Sequence, residues 1–176
     1  MAAMLDAAKY SAVELLGGGE RIEIRALEPN DEGGLVAAVH RTSAQSLYRR
    51  FFGVRRDFSE KEVDFFVNVD FVNHVALVVV AREDGRAAII GGGRYVLVRP
   101  RSAEVAFAVV DEYQGRGIGA ALMRHLVTIA RAAGLEEFTA DVLAENAPML
   151  KVFAKSGLYC VTKREDDVVH LAFQLS

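Results

Sequence analysis

A chain of 176 residues is long enough for one domain and short for two, and its 52% hydrophobic residues are ample for a core. Its formal net charge of −3, with Lys and Arg interspersed among Asp and Glu, excludes the broad basic field that nucleic acid would call for. A single cysteine, Cys160, excludes an internal disulfide and a cysteine-based metal cluster and suits a reducing cytoplasm, and no run approaches the ~18 apolar residues of a membrane helix.

Residues 1–20 do not read as a signal peptide, because Asp6, Lys9 and Glu14 interrupt the apolar segment. They are expected to form a leader, a short helix or frayed arm outside the core, with Gly17-Gly18-Gly19 as a flexible joint before a domain at residues 21–176. Arg21 to Ala26 alternates as a first strand. Pro29-Asn30-Asp31 turns into a helix carrying Leu35, Val36 and Val39. Ser43 to Phe52 predicts a second, amphipathic helix stopped by Gly53. Ser59 and Glu62 form a capping box for a third helix, from about Glu60 to Val69, with Phe58 and Val63 placed as a hydrophobic staple.

His74 to Ala81 and Ala88 to Val98 predict a hairpin with Asp84-Gly85 at its tip. Glu104 to Val110 is the next strand. A polar turn follows, then glycines at alternate positions 115, 117 and 119, then a helix whose apolar stripe is Ile118, Leu122, Leu126 and Ile129, closed by Gly134. A strand that ends on glycines at a helix N-terminus presents unpaired N–H groups and a positive dipole end to one spot, which suits phosphate. Glu137 to Leu143 is a strand and Asn146 to Lys155 a helix. Leu158 to Thr162 and Val168 to Leu175 pair across a charged turn. The order from residue 21 is β-α-α-α-β-β-β-α-β-α-β-β.

The glycine turn alone is weak evidence, since any tight strand-to-helix turn can use glycines. Its spacing is more specific: Gln114 to Gly119 reads Q-x-x-G-x-G. It resembles the pyrophosphate loop of the GNAT N-acetyltransferase superfamily. "NAPMLKVFAKSGL", Asn146 to Leu158, is similar to that superfamily's next motif. The resemblance covers residues 21–175 and implies an α/β (α+β) fold, a mixed central sheet flanked by helices. It also implies acetyl-coenzyme A as co-substrate, without a metal. The backbones of Gln114, Gly115, Arg116, Gly117, Ile118, Gly119 and Ala120 would then hold the pyrophosphate. Val109 and Val110 would offer backbone groups to the pantetheine arm, although their side chains read equally as core. Asn146 would touch that arm as well as cap its helix. The side chain of Arg116 is either a phosphate contact or a solvated charge at the helix start. Asp111 and Glu112 are expected to face water.

Amine acetylation at neutral pH benefits from a base, because a lysine amine has a pKa near 10.4. Glu104 is the candidate. On a regular strand it shares a face with Ala106, Ala108 and Val110, and burial there would raise its pKa. The family pattern favours this role over that of an exposed strand-end charge. Many relatives carry a Tyr seven residues after the motif Asn as general acid; here Phe153 stands there, with Tyr159 and Tyr113 as weak substitutes.

"SLYRRFFG", "AEVAFAVVDEYQGRGIGAALM", "LAENAPML" and "KREDDVVHLAF" narrow the resemblance to bacterial protein lysine acetyltransferases of the Pat type, which act on acyl-CoA synthetases. Some of these are fused to a cyclic-nucleotide-binding or synthetase-like domain, for which 176 residues leave no room, so cyclic-nucleotide control is not expected. A protein acceptor, a small-molecule amine and a non-catalytic acetyl-coenzyme A module are the three readings, and Glu104 argues against the last. The arginines at 41, 49, 50, 55 and 56, beside Tyr48, Phe51 and Phe52, predict a positive patch for an acidic partner surface.

Overall fold

A computed structural model describes residues 5–51 and 59–176, without the side chains of Tyr48 and Phe51. Its order is β1 (Ser11–Leu15), β2 (Arg21–Ala26), α1 (Glu32–His40), α2 (Ala44–Phe51), α3 (Glu60–Val67), β3 (His74–Glu83), β4 (Arg86–Arg99), β5 (Ser102–Val109), α4 (Ile118–Ala132), β6 (Glu137–Leu143), α5 (Ala147–Ala154), β7 (Cys160–Glu165) and β8 (Val168–Gln174). The expected order holds from residue 21 onward. The expected helix stop at Gly53, the staple residue Phe58, and Phe52, Arg55 and Arg56 of the patch lie outside the described residues.

The described strands form one sheet in the order β1-β2-β3-β4-β5-β6-β8-β7. Neighbours are antiparallel except β5 and β6, which run parallel. The sheet is therefore mixed, with helices on both faces, as expected. One face carries α4: Ile118, Leu122, Leu126 and Ile129 are all buried against Leu77, Ile90, Tyr95, Val105, Phe107 and Phe138. The other face packs Leu27, Ala76, Val78 and Ile89 beneath α1.

Local chemistry sets the element ends. Ser59 Oγ accepts from the Glu62 N–H and the Glu62 carboxylate accepts from the Ser59 N–H, both at 3.2 Å, so the predicted capping box forms. Gly134, at φ +83°, ends α4: its N–H donates to the Arg131 carbonyl while the Leu135 N–H donates to that of Ala130. Asp84 and Gly85, both at positive φ, make the β3–β4 turn that the Asp-Gly pair predicts.

Residues 5–20 depart in part from expectation. A short 3-10 helix at Ala7–Lys9 is followed not by an arm outside the core but by Ser11–Leu15, which form the edge strand β1, paired with β2 from Ser11↔Arg25 to Leu15↔Arg21. Gly17 to Gly19 are the hairpin turn and not a joint, closed by Gly19 N–H to Leu16 O and Leu16 N–H to Glu20 O, both at 2.8 Å. The cause is tertiary. His125 of α4 lies against this segment, with Nε2 2.7 Å from Glu14 and Nδ1 hydrogen-bonded to the Tyr10 hydroxyl.

Candidate active site

The site is built where two strands part. β5 and β6 pair only from Ser102↔Glu137 to Glu104↔Thr139; beyond that pair no register joins them. Val110 donates its N–H to the Ile90 carbonyl at 2.9 Å, so Ile90–Val110 and Gly92–Ala108 are hydrogen-bonded pairs in the β4–β5 ladder. Val109 and Phe107 occupy the alternate positions of that ladder, and their backbone groups face the gap on the β6 side. The gap opens into a cleft of about 930 Å³. Gly92, Ala106 and Ala108 supply a floor with little side chain, and residues of α2, α3 and the first turns of α4 and α5 supply its walls.

At the far end of β5 lies the glycine loop. Gly115 and Gly117 have φ of +75° and +90°, in the left-handed region that favours glycine. A Cβ built on either would meet nothing within 4 Å, so both leave open backbone towards the cleft. Gly117 is the N-cap of α4 and has no side chain to occupy the helix's first N–H groups. Gly119 does a different job: a Cβ there would stand 3.3 Å from Val152 Cγ2, so its absence lets α4 approach α5. The Gln114 side chain anchors the loop, its Nε2 lying 3.0 Å from the Val109 carbonyl and 3.1 Å from Ser46 Oγ. Open N–H groups at a helix start beside a free strand edge fit a pyrophosphate with a linear arm behind it.

Val109, Val110, Gln114, Gly115, Gly117, Ile118, Gly119, Ala120 and Asn146 all line this cleft. Within that set, the Val110 N–H is committed to Ile90 and its carbonyl already accepts from the Tyr113 N–H. The unpaired edge belongs to Phe107 and to the Val109 N–H, the Val109 carbonyl accepting from Gln114 Nε2. Ile118 is 1% exposed, so its side chain is core and only its backbone faces the loop. Asn146 caps α5, accepting from the Met149 N–H at 3.3 Å.

Arg116 is turned away. Its guanidinium pairs with Glu20 and lies 5.0 Å from the Tyr113 ring centre, against the N-terminal hairpin. Asp111 and Glu112 are exposed but not merely solvated. Asp111 accepts from the Ser43 N–H at 3.0 Å before α2, and Glu112 lies 3.1 Å from Arg41.

Glu104 stands at the mouth of the gap, with Ala106 and Ala108 on its face of β5. It is exposed and not buried among them. Its charge still acts on Arg50 of α2. The positions considered for a general acid are spent elsewhere. Phe153 is buried between Phe107 and Phe173, with ring centres 5.7 and 5.1 Å away. Tyr113 donates to Glu83 at 3.0 Å, and Tyr159 is on the surface.

The described arginines of the expected patch, Arg41, Arg49 and Arg50, do not point together. Arg41 is held by Glu83 at 2.8 and 2.9 Å, Arg49 lies 4.0 Å from Glu145, and Arg50 turns into the cleft. Arg94, which the sequence did not single out, lines the same cleft.

Residues 41–158 match the acetyltransferase (GNAT) family. Acetyltransferase Pat of Mycolicibacterium smegmatis is 35% identical over 150 residues, 84% of this chain; the chain spans only 44% of that protein's length. Acetyltransferase PA5475 of Pseudomonas aeruginosa is 30% identical over 156 residues, covering 88% of this chain and 83% of that protein. Among solved structures, the GNAT domain of S. lividans PAT superposes with a TM-score of 0.84 at 35% identity, covering 93% of this chain and 96% of that domain.

Proposed function

This chain belongs to the acetyltransferase (GNAT) family, and we propose that it transfers the acetyl group of acetyl-coenzyme A to the ε-amine of a lysine on a protein such as an acyl-CoA synthetase. The observation that carries this reading is the line from the glycine loop, along the free edge of β5, to Glu104 at the strand junction. A pyrophosphate on the N–H groups between Gln114 and Ala120 sends a linear arm along Phe107 and Val109 towards Glu104. The similarity to the GNAT domain of S. lividans PAT supports a Pat-type acceptor.

The thioester supplies the acyl carbon and a thiolate leaving group. The protein supplies position and a proton acceptor. Backbone N–H groups of the parted strand lie where a carbonyl oxygen needs polarising, a contribution that grows as charge builds on that oxygen. Glu104 takes the proton that the ammonium of the acceptor must lose, directly or through one water. Because Glu104 is exposed, a lysine on a large body can reach it from solvent. The Phe153 position offers no acid, so the thiolate leaves without a proton from that side chain.

The test is to incubate the purified protein with labelled acetyl-coenzyme A, a folded acyl-CoA synthetase and a panel of polyamines and amino acids. Label on a synthetase lysine is the expected result. Label that goes far more efficiently to the free amines would replace the protein acceptor with a small-molecule one, and label on neither would end the transferase reading.

A further inference from the structure

The acceptor end of the cleft carries charge that the reaction above does not use. Arg94 stands on β4 opposite Ala106, on the sheet face that also bears Glu104. Its Nη1 donates to the Phe66 carbonyl at 3.2 Å and lies 2.8 Å from His74 Nε2. Its guanidinium carbon is 4.8 Å from the Phe66 ring centre. Arginine keeps its proton, so His74 must accept at Nε2 and is neutral. Burial and then the Arg94 charge push the His74 pKa down to about 4, in agreement with that geometry. These partners of Arg94, a carbonyl, an imidazole and an aromatic face, bring no negative charge.

Arg50 lines the same cleft from α2; its positive charge acts on Arg94, and the negative charge of Glu104 acts on Arg50. Burial is the chief influence on both guanidinium groups and disfavours their charge, to about 10 for Arg50 and about 9 for Arg94. For Arg94 a desolvated charge held by neutral partners costs stability, and an anionic ligand would relieve that cost. The cofactor phosphates are too far to serve. From Ala106 to Val110 the strand rises about 13 Å, so Arg94 sits at the acyl and amine end of the cleft.

We infer that Arg94 and Arg50 form a subsite for a carboxylate borne by one of the two substrates, either beside the acceptor amine or at the far end of the acyl chain. The planar fork of a guanidinium matches a carboxylate with two parallel hydrogen bonds. The inference rests on the acyl-transfer reading, since that reading places amine and acyl group here.

Binding, not turnover, tests it. In one series succinyl-coenzyme A and butyryl-coenzyme A, matched in carbon number, are titrated calorimetrically into the protein. In the other, lysine peptides with Glu or Gln beside the lysine are titrated into protein loaded with coenzyme A. Wild type is expected to prefer the carboxylate member at least about tenfold in one series, and the series that shows it identifies the source. Arg94→Met should abolish the preference while leaving coenzyme A affinity within a few-fold, and Arg94→Lys should keep part of it. Should Arg94→Met not fold, Arg50→Gln carries the same measurement. No preference in either series, or a preference that survives the substitution, overturns the subsite. Failure of the transferase reading looks different: coenzyme A binds and the ratios are readable, but no amine is acetylated.

Discussion

Glu104 and Thr139 are the last residues that β5 and β6 hold in register, and the cleft opens immediately beyond them. That places an exposed carboxylate at the mouth of a gap whose other end is the glycine loop. If Glu104 is the base, Glu104→Gln should keep the shape and remove the proton acceptor. Turnover should fall about 10²–10⁴-fold with little change in acetyl-coenzyme A affinity. The deficit should narrow as pH rises towards the amine's own pKa, because the acceptor then deprotonates without help. Steady-state rates from pH 6.5 to 9.5 provide the check; a variant within a few-fold of wild type at neutral pH removes Glu104 from the mechanism.

Gly117 separates backbone geometry from charge at the loop. Its φ of +90° is costly for any L-residue, and its missing side chain leaves the α4 N-terminus open. Gly117→Ala adds strain of roughly 1–2 kcal/mol, which local relaxation shares between stability and binding. Gly117→Glu adds the same strain and sets a carboxylate where a pyrophosphate is to sit. Calorimetry should show Gly117→Glu binding acetyl-coenzyme A at least about tenfold more weakly than Gly117→Ala. Equal affinities would move the phosphates off this helix.

Arg116 provides the converse case. Its position in the motif makes it a natural phosphate contact, yet its guanidinium pairs with Glu20 and covers the Tyr113 ring. Only its backbone is available to the loop. Arg116→Ala should therefore change acetyl-coenzyme A affinity by less than about threefold, because an exposed ion pair contributes little. A loss of tenfold or more would show that the side chain swings onto the ligand.

Much of this architecture was legible because local and tertiary preferences agree. The Ile118–Leu122–Leu126–Ile129 stripe, the Ser59–Glu62 box and the Asp84–Gly85 turn are each specified within a few residues and each form as read. β1 was not legible, and its pattern explains why. Val13 and Leu15 point outwards, 50% and 70% exposed, while Glu14 faces α4 and meets His125 and Arg124. A strand whose polar residue faces inward defeats a reading based on apolar alternation. Arg94 was hidden for a related reason. One arginine in a glycine-rich strand reads as a surface charge, and only the fold brings Phe66, His74 and Arg50 around it. Which backbone groups of Val109 and Val110 are already hydrogen-bonded was not legible either, since ladder register decides it and composition does not encode it.

The acceptor-side helices are tied to the sheet by an ion pair whose pH dependence can be worked out. Arg25 donates to both oxygens of Asp31, at 2.9 Å each, and the Glu28 N–H adds a third hydrogen bond at 2.8 Å. This locks the end of β2 to the start of α1. Burial alone would raise the Asp31 pKa, but the hydrogen bonds from Arg25 and Glu28, with the Arg25 charge, outweigh it and leave the carboxyl below its usual 3.8. A carboxyl lowered in the folded state contributes stability that is complete above the unfolded pKa and is lost as pH falls through the folded one. Asp31→Asn should therefore destabilise the protein by about 2 kcal/mol at pH 7. The gap to wild type should hold down to about pH 4, the unfolded carboxyl's pKa, and shrink below it, because only wild type has this carboxylate to protonate. Urea unfolding of both proteins at pH 7, 5 and 3 measures the gap. A difference that stays constant down to pH 3 would mean that the aspartate acts through shape and hydrogen bonding alone, not through its charge.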